Sequence, residues 1–317
     1  PAPPAPTTPA SRRVSAKSME PILAHFVSYG MGALKTAAGL LKLFLRRDKT
    51  RASDIYDLIG RHNAIGEKSL YLNLGLWKGG ESYDEACQAL AGALAEAAGM
   101  GPGDEVLDVG FGFADQDLYW AKAFSPKRIT GLNITLSQVE AARLRVAQAG
   151  LQGTIELVHG SATRMPFAES SFDKVTALET AFHYDTREDF FREAYRVLRP
   201  GGRLAVADIL PLSRKGGWKV RLGDYLGRSF WQIPAANMYT GKIYLRKLKR
   251  AGFSRVSLRS IREQVFPGFV AYARARLDEP ELTARLDPVI RAFWKTAAAG
   301  RTAWESVDYV IAVAEKA

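Results

Sequence analysis

Three side chains that can hold or move a proton stand just after stretches of strand-like sequence. Glu179 follows KVTAL, His183 comes four residues later, and Asp208 lies near the end of RLAVADI. Neutral imidazole is a suitable base near physiological pH, and a nearby carboxylate could orient it or balance its charge. We therefore expect His183 and Asp208 to form a pair. The alternatives are a hydrogen-bonded loop histidine and a carboxylate that only caps a loop.

A glycine turn precedes these residues in the stretch EVLDVGFGFADQ. Val106, Leu107 and Val109 form an apolar run that suits a strand buried on both faces. Gly110 and Gly112 follow, where the backbone must bend and where a ligand can come too close for a Cβ atom. A strand, a glycine turn and a helix form a typical nucleotide-binding unit, although the glycines could simply make a turn.

The elements that must position these groups alternate along the chain. Apolar runs of strand type are separated by helical stretches, which is the pattern of an α/β fold with a doubly wound parallel sheet. Right-handed crossovers then bring the carboxyl ends of the strands to one edge, so the candidate groups should lie close together. The predicted strands are 106–109, 128–133, 155–159, 174–178, 203–209, 253–261 and 307–314, and the predicted helices are 82–99, 136–148, 187–198 and 266–296.

The composition limits which kinds of fold, partner and metal site are possible for this chain. The chain has 317 residues, is 47% hydrophobic and carries a formal net charge of +11. It can form one large core, and its basic balance favours anionic partners such as nucleic acid or an anionic membrane surface. Cys87 is the only cysteine and the four histidines are scattered, so we expect no disulfide and no metal site. Without a recognisable secretory signal, a cytoplasmic protein is expected.

We divide the chain into three parts. Residues 1–20 are rich in proline and alanine and should form a disordered tail. Residues 21–80 are predicted to form an N-terminal helical and lid segment. The α/β domain is predicted to span 81–317, with cap insertions at about 211–250 and 262–304.

The segment 21–51 raises the question of membrane contact. It is largely apolar, carries Lys35 and Lys42 seven positions apart on one helical face, and ends in basic residues. Such a helix suits a membrane interface, which predicts peripheral contact with an anionic membrane at its inner face. The alternative is packing on the chain's own domain or on a partner subunit, which leaves a homo-oligomer open.

Four motifs in order resemble one family: VLDVGFG, GLNITLSQ, HGSATRMPFAESSFDKVTALE and FFREAYRVLRPGGRLAVADI. They are similar to the class I S-adenosylmethionine-dependent methyltransferases, and the resemblance covers residues 69–211 well. SLYLNLGLW and ALETAFHY are similar to a subgroup with the erythromycin-type and rebeccamycin-type O-methyltransferases, whose relatives methylate tocopherols, sterols, phosphoethanolamine and fatty acyl chains. The resemblance implies a Rossmann-like sheet, mostly parallel with an antiparallel last strand, N-terminal helices, a helical cap, and S-adenosyl-L-methionine as cofactor.

The resemblance also implies roles for particular side chains. Gly110 and Gly112 would let the backbone approach the methionine moiety, and Asp108 would order that loop. Asn133 stands where the family usually has an acidic residue that accepts both ribose hydroxyls, and an amide binds a hydroxyl more weakly. Ala114 replaces the family's third glycine. Further cofactor contacts are expected at Tyr71, Gln116, Ile134, Gln138, Ser161, Ala162 and Glu179.

The chemistry that the resemblance implies is an in-line displacement at a methyl carbon, with removal of a proton when the acceptor is an alcohol. His183 and Asp208 resemble the His/Asp pair of the sugar O-methyltransferases. Glu179 would hold the cofactor or position His183. In C-methylating relatives, a carboxylate at such a place and aromatic rings stabilise a cationic intermediate, although core packing is the alternative for each ring. The rings that could do so are Phe182, Tyr184, Trp218, Trp231 and Tyr239.

Four functions are compatible with these features. The leading prediction is methylation of a hydrophobic small molecule, most simply O-methylation of a natural product with His183 as general base. The second is a membrane-associated lipid, sterol or polyprenyl methyltransferase acting at nitrogen or carbon. A nucleic-acid methyltransferase is disfavoured, because ETAFHY replaces the Asn- or Asp-Pro-Pro-aromatic motif that methylation of base amines requires. The fourth is a cofactor-binding protein without chemistry.

Overall fold

The structure is a computed structural model that describes residues 66, 68–212, 233–286, 291, 294, 295, 298 and 304–317. The predictions for residues 1–20 and 21–51, and those for Trp218 and Trp231, lie outside the described residues. Seven strands form one sheet in the order β3-β2-β1-β4-β5-β7-β6. The strands are β1 (Glu105–Val109), β2 (Arg128–Asn133), β3 (Ile155–His159), β4 (Phe172–Leu178), β5 (Leu198–Pro211), β6 (Arg255–Ser260) and β7 (Val307–Glu315).

The pairing of the strands confirms the predicted sheet. β1 to β5 pair in parallel, and β7 runs antiparallel to both β5 and β6. β5 is longer than predicted, because Leu198 pairs with Phe172 at one end and Pro211 pairs with Val307 at the other. The carboxyl ends of β1 to β4 therefore meet at one edge, as the crossover rule requires.

Two of the helices begin at side chains that satisfy their first N–H groups. Ser82 and Glu85 form a reciprocal capping box at the start of the first helix, and Thr186 and Asp189 form another at the fourth. The helices are α1 (Tyr83–Ala98), α2 (Asp115–Ala123), α3 (Leu136–Gln148), α4 (Arg187–Val197), α5 (Gly241–Arg250), α6 (Arg262–Leu277) and α7 (Pro280–Arg285).

Two helical layers cover the sheet. Side chains of α1, α2, α3 and α6 form one apolar cluster with one face of the sheet, and α4 and α5 form a second cluster with the other face. α5 packs through Tyr244 against Phe191 of α4, so it completes this layer as the helix between β5 and β6. Among the described residues, no helix combines the length and the apolar character needed to cross a membrane.

Candidate active site

The glycine turn lies against the end of β4. Gly110 has φ +85°, and a Cβ atom there would lie 2.3 Å from Oγ1 of Thr180. Its N–H donates to the carbonyl of Leu132 at 2.7 Å, which fixes the turn to the end of β2. Gly112 has φ +58°, and a Cβ atom there would lie 3.3 Å from Cδ1 of Leu72. Glycine is thus required at Gly110 by the protein itself, independently of any ligand.

Asp108 ties the strand before the turn to the helix after it. The carboxylate is fully buried and accepts hydrogen bonds from Gln116 Nε2 and Thr176 Oγ1, both at 3.0 Å. Burial raises the pKa of Asp108 to about 7, although these two hydrogen bonds oppose the rise. Both Asp108 and Gln116 therefore lie at the predicted loop, where they bind each other and Asp108 also binds Thr176 of β4.

Asp117 is a second buried carboxyl group in this region, and the sequence pattern did not predict it. Neither of its carboxylate oxygens has a hydrogen-bond partner among the described residues, and the side chain is fully buried. Burial first, and then the charge of Asp108, raise the pKa of Asp117 well above its ordinary value. Burial therefore favours the neutral form of Asp117 in the first turn of α2.

The end of β2 presents an amide in a fixed orientation. Asn133 Nδ2 donates to Oε1 of Gln138 at 2.8 Å, and both side chains are buried. This bond directs Asn133 Oδ1 away from Gln138, where it accepts the N–H of Thr135 at 3.5 Å and keeps capacity for a second hydrogen bond. Ile134 follows at the edge of the sheet and is 43% exposed. Gln138 therefore orients the predicted ribose-binding amide in the described structure.

Beyond β3, the predicted adenine-binding loop is closed by its own hydrogen bonds. Ser161 Oγ lies 3.0 Å from Thr163 Oγ1 and accepts the N–H of Thr163 at 3.3 Å. Ala162 is buried. The carboxylate of Glu193 accepts the N–H of Met165 at 2.7 Å and thereby attaches the loop to α4.

The segment before α1 packs over the glycine turn. Tyr71 is buried and donates its hydroxyl hydrogen to the carbonyl of Asp115 at 3.3 Å. Arg145 of α3 holds the Asp115 carboxylate through two bonds of 2.5 and 2.7 Å. Trp77 packs on Gly268 of α6, where a Cβ atom would lie 2.2 Å from its ring. The segment is thus attached both to the start of α2 and to α6.

Glu179 joins this segment to the sheet. It follows β4 with φ +57°, a costly conformation for a residue other than glycine. Its Oε2 atom accepts the N–H of Leu74 at 2.8 Å and the hydroxyl hydrogen of Tyr309 at 2.9 Å. Burial raises the pKa of Glu179 to about 8, although both hydrogen bonds oppose the rise. Oε1 remains as an acceptor at the edge where the strands end.

His183 lies in a short 3₁₀ turn, Ala181–His183, just beyond Glu179. Its N–H donates to the carbonyl of Thr180 at 3.0 Å, and its half-buried ring packs against Phe182 with the ring centroids 4.3 Å apart. Tyr184 ends the turn and donates its hydroxyl hydrogen to the carbonyl of Val109 at 2.8 Å. The turn is thereby attached to the strand that leads into the glycine turn.

Asp208, the predicted partner of His183, binds an arginine in the structure, and its contact with His183 stays a prediction. Asp208 is fully buried and forms a bidentate ion pair with Arg187, with both N–O distances at 2.9 Å. Burial raises the pKa of Asp208, and the guanidinium opposes that rise. The aromatic ring of Tyr239 lies over the same guanidinium, with the guanidinium carbon 5.4 Å from the ring centroid. The cation that this ring contacts in the structure is therefore the side chain of Arg187.

Three groups in this region escaped prediction: Arg187, Asn237 and Tyr309. Arg187 stands in the exposed-looking sequence TREDFF, and Asn237 in PAANMY, so neither shows a pattern that signals burial. Tyr309 fits the apolar pattern of β7 and therefore looks like an ordinary core residue. Its role comes only from its hydrogen bond to Glu179. Among the described residues, no group of His, Cys, Asp and Glu side chains is arranged to hold a metal ion.

The matching family model and two curated relatives of this chain are described as methyltransferases. A family model described as a methyltransferase domain matches residues 107–206. An erythromycin 3''-O-methyltransferase of Saccharopolyspora erythraea is 36% identical over 283 residues, covering 85% of this chain and 91% of that protein. A sterol 24-C-methyltransferase of Gibberella zeae is 35% identical over 179 residues, covering 55% of this chain and 46% of that protein.

Among solved structures, the cyclase SpnF is similar with a TM-score of 0.68 and 21% sequence identity, covering 84% of this chain and 97% of that one. At this level of identity the similarity concerns the fold alone. Because a cyclase shares the fold, the chemistry of this chain has to be argued from its own site.

Proposed function

The chain belongs to the family of S-adenosylmethionine-dependent methyltransferases, and we propose that within this family it methylates a hydroxyl group of a hydrophobic natural product, with His183 as general base. The observation that carries this proposal is the attachment of the His183 turn to the glycine turn. Tyr184 bonds the carbonyl of Val109 at 2.8 Å, and the side chain of Thr180 lies directly against Gly110. A base on this turn is held beside the loop that the family uses for its cofactor.

The described residues fit S-adenosylmethionine, which supplies a methyl group on a sulfonium centre. Gly110 and Gly112 leave the backbone of the loop free of side chains, and Asn133 Oδ1 is oriented as an acceptor for a hydroxyl group. Oε1 of Glu179 is an acceptor for a cationic group, since Oε2 is already engaged by Leu74 and Tyr309. These residues, together with Tyr71, Ile134, Gln138 and the loop at 161–162, are the cofactor contacts that we propose.

The residues of the site would divide the work as follows. His183 accepts the proton of the acceptor hydroxyl, and Phe182 restrains the imidazole through the ring contact of 4.3 Å. Glu179, when ionised, balances the positive charge of the cofactor through its Oε1 atom. Both carboxylate oxygens of Asp208 bind Arg187, so we assign Asp208 to holding that guanidinium and not to the proton transfer.

The similarity to the erythromycin 3''-O-methyltransferase supports a hydroxyl acceptor on a large hydrophobic molecule, since it extends over 85% of this chain. The similarity to the sterol 24-C-methyltransferase is confined to 55% of the chain. A hydroxyl acceptor needs a base, and His183 offers one, whereas methylation of an alkene carbon needs stabilisation of a cation.

A second candidate is a membrane-associated lipid or sterol methyltransferase. The apolar segment 21–51 with its basic end favours it. Deleting residues 1–51 should then reduce binding to vesicles of anionic phospholipid, most strongly at low salt. If the complete chain does not bind such vesicles, membrane contact through this segment is excluded.

The proposed function is tested with S-adenosylmethionine labelled on its methyl group and three probe acceptors: 3''-O-demethylerythromycin, a 24-unmethylated sterol and phosphoethanolamine. Transfer to the macrolide oxygen supports the proposal. Transfer only to the sterol carbon or to the amine supports the second candidate and contradicts the first.

A further inference from the structure

The side chain of Asn237 clamps the turn that carries His183. It is fully buried, and its Nδ2 donates to the carbonyl oxygens of Phe182 at 3.1 Å and Tyr184 at 2.7 Å, one on each side of His183. Its Oδ1 accepts the backbone N–H of Arg187 at 2.9 Å. Because carbonyl oxygens only accept and an N–H group only donates, a single orientation of the amide satisfies all three bonds.

Arg187 and Asp208 hold Asn237 in turn. The guanidinium of Arg187 donates to the backbone carbonyl of Asn237 through Nη1, while Nε and Nη2 bind the carboxylate of Asp208. Nη2 also donates to the carbonyl of Ile209 at 3.0 Å. The end of β5 therefore reaches the turn of His183 through two buried side chains, Arg187 and Asn237, which are joined by two hydrogen bonds.

The turn has a second and independent attachment. Tyr184 bonds Val109 at 2.8 Å and accepts a hydrogen bond from Thr180 Oγ1 at 3.0 Å. Loss of the Asn237 clamp would therefore leave the turn attached to the glycine turn, and attached to α4 through the ring contact of Tyr184 with Phe190 at 4.9 Å, but without the hydrogen bonds that fix the carbonyls on either side of His183. The expected consequence is a misplaced imidazole in a folded protein.

We propose that Asn237 is a positioning residue for methyl transfer, which holds His183 at the place where it meets the acceptor hydroxyl. This inference rests on the proposed role of His183 as general base. Displacement of a catalytic group by about 1 Å can reduce turnover by roughly 10²-fold. Asn237 therefore controls turnover without contributing an atom to the reaction.

The variant Asn237→Asp tests the clamp with little change in shape. It keeps an acceptor for the N–H of Arg187, but it sets a carboxylate oxygen against the carbonyls of Phe182 and Tyr184. With 3''-O-demethylerythromycin as probe acceptor, kcat should fall roughly tenfold or more, while the Kd of S-adenosylhomocysteine stays within about twofold. Phe191→Leu is the control, because Phe191 is buried in the same layer and lies outside the turn; it should lower Tm and leave kcat unchanged.

A double-mutant cycle separates positioning from a structural role. If Asn237 acts through the imidazole, Asn237→Asp lowers kcat in the native background and changes it by less than about twofold in the His183→Ala background. Equal losses in both backgrounds overturn the inference while leaving the proposed base intact. A His183→Ala variant with native turnover overturns the proposed base and this inference together.

A second readout does not depend on the acceptor. In protein with isotope-labelled histidine, saturated with S-adenosylhomocysteine, the ring resonance lost in His183→Ala identifies His183. Asn237→Asp should shift or broaden that resonance and leave the resonance of His159 in place. An unchanged His183 signal contradicts the inference. If Asn237→Asp is insoluble, Asn237→Ser replaces it, since serine cannot reach both carbonyls.

Discussion

The hydroxyl of Tyr309 donates a 2.9 Å hydrogen bond to Oε2 of Glu179 and so connects β7 with the end of β4. The same oxygen accepts the N–H of Leu74, which belongs to the segment that packs over the glycine turn. Glu179 therefore joins three parts of the chain at the edge where the strands end. Its other carboxylate oxygen is the part of the group that a ligand can use.

The titration of Glu179 predicts a pH-dependent cofactor affinity. Burial raises its pKa to about 8, so below this pH the group is a neutral acid and has lost its attraction for a cation. The affinity for S-adenosylmethionine, relative to that of Glu179→Gln, should rise by roughly tenfold between pH 6.5 and 8.5. Glutamine keeps the acceptor for Leu74 and Tyr309, and titration of the cofactor itself cancels in the ratio. Calorimetry at both pH values measures the two affinities. An equal ratio of native to Glu179→Gln affinity at pH 6.5 and 8.5 would show that Glu179 does not interact with the positive charge of the cofactor.

The raised pKa of Asp108 predicts that the stability of the folded protein depends on pH. Its folded pKa is raised to about 7, so its stabilising contribution is complete below the ordinary value of about 3.9 and is lost as the pH rises through about 7. Between pH 5.5 and 7.5 the native protein should lose about 2 kcal/mol of unfolding free energy through this group. Urea unfolding should show a smaller loss for Asp108→Asn over the same interval. Parallel pH dependences for the two proteins would exclude Asp108 as the titrating group.

Asn133→Asp should strengthen cofactor binding. A carboxylate can accept both hydroxyl groups of a ribose, and hydrogen bonds to a charged acceptor are roughly twice as strong as neutral ones. Gln138 can turn its amide so that Nε2 donates to the new carboxylate, since it lies 2.8 Å from the present side chain. The Kd for S-adenosylmethionine should fall by about fivefold. Unchanged or weaker binding would place the ribose elsewhere.

Gly110→Ala should damage the cofactor loop through Thr180. The added methyl group would lie 2.3 Å from Oγ1 of Thr180, in addition to the strain of φ +85°. Gly103→Ala is a matched control, because Gly103 has φ +90° and no atom lies within 4 Å of the position that its added methyl group would take. Both variants should lose about 1 kcal/mol from backbone strain, and only Gly110→Ala should also lose cofactor binding. Equal effects on binding would remove the special role of this turn.

Local pattern was sufficient for most of the fold. β2 and α3 begin and end where the sequence predicted, at 128–133 and 136–148, because each has a clear apolar period and polar boundaries. β5 was predicted too short, since its two extensions depend on pairing with Phe172 and Val307 and not on its own sequence. The roles assigned to individual cofactor contacts stay predictions.

The sequence predicted the site residues that directly follow strands. It did not predict the residues whose place depends on partners far away in the chain. Glu179 and His183 could be found because each follows a recognisable strand. The partner of Asp208 could not, because the burial of Arg187 depends on how the first turn of α4 lies over β5. Asn237 reaches the turn from a connection far along the chain, so its contact with Phe182 has no local signal.

The most direct test of the account is the turnover of His183→Ala. With labelled S-adenosylmethionine and 3''-O-demethylerythromycin, the native protein should form an O-methyl ether, identified by mass spectrometry. The variant should form it roughly 10²-fold more slowly, with the Kd of S-adenosylhomocysteine nearly unchanged and with part of the lost rate restored as the pH rises and the hydroxyl loses its proton unaided. Turnover by His183→Ala at the native rate would contradict base catalysis by His183 and with it the central claim.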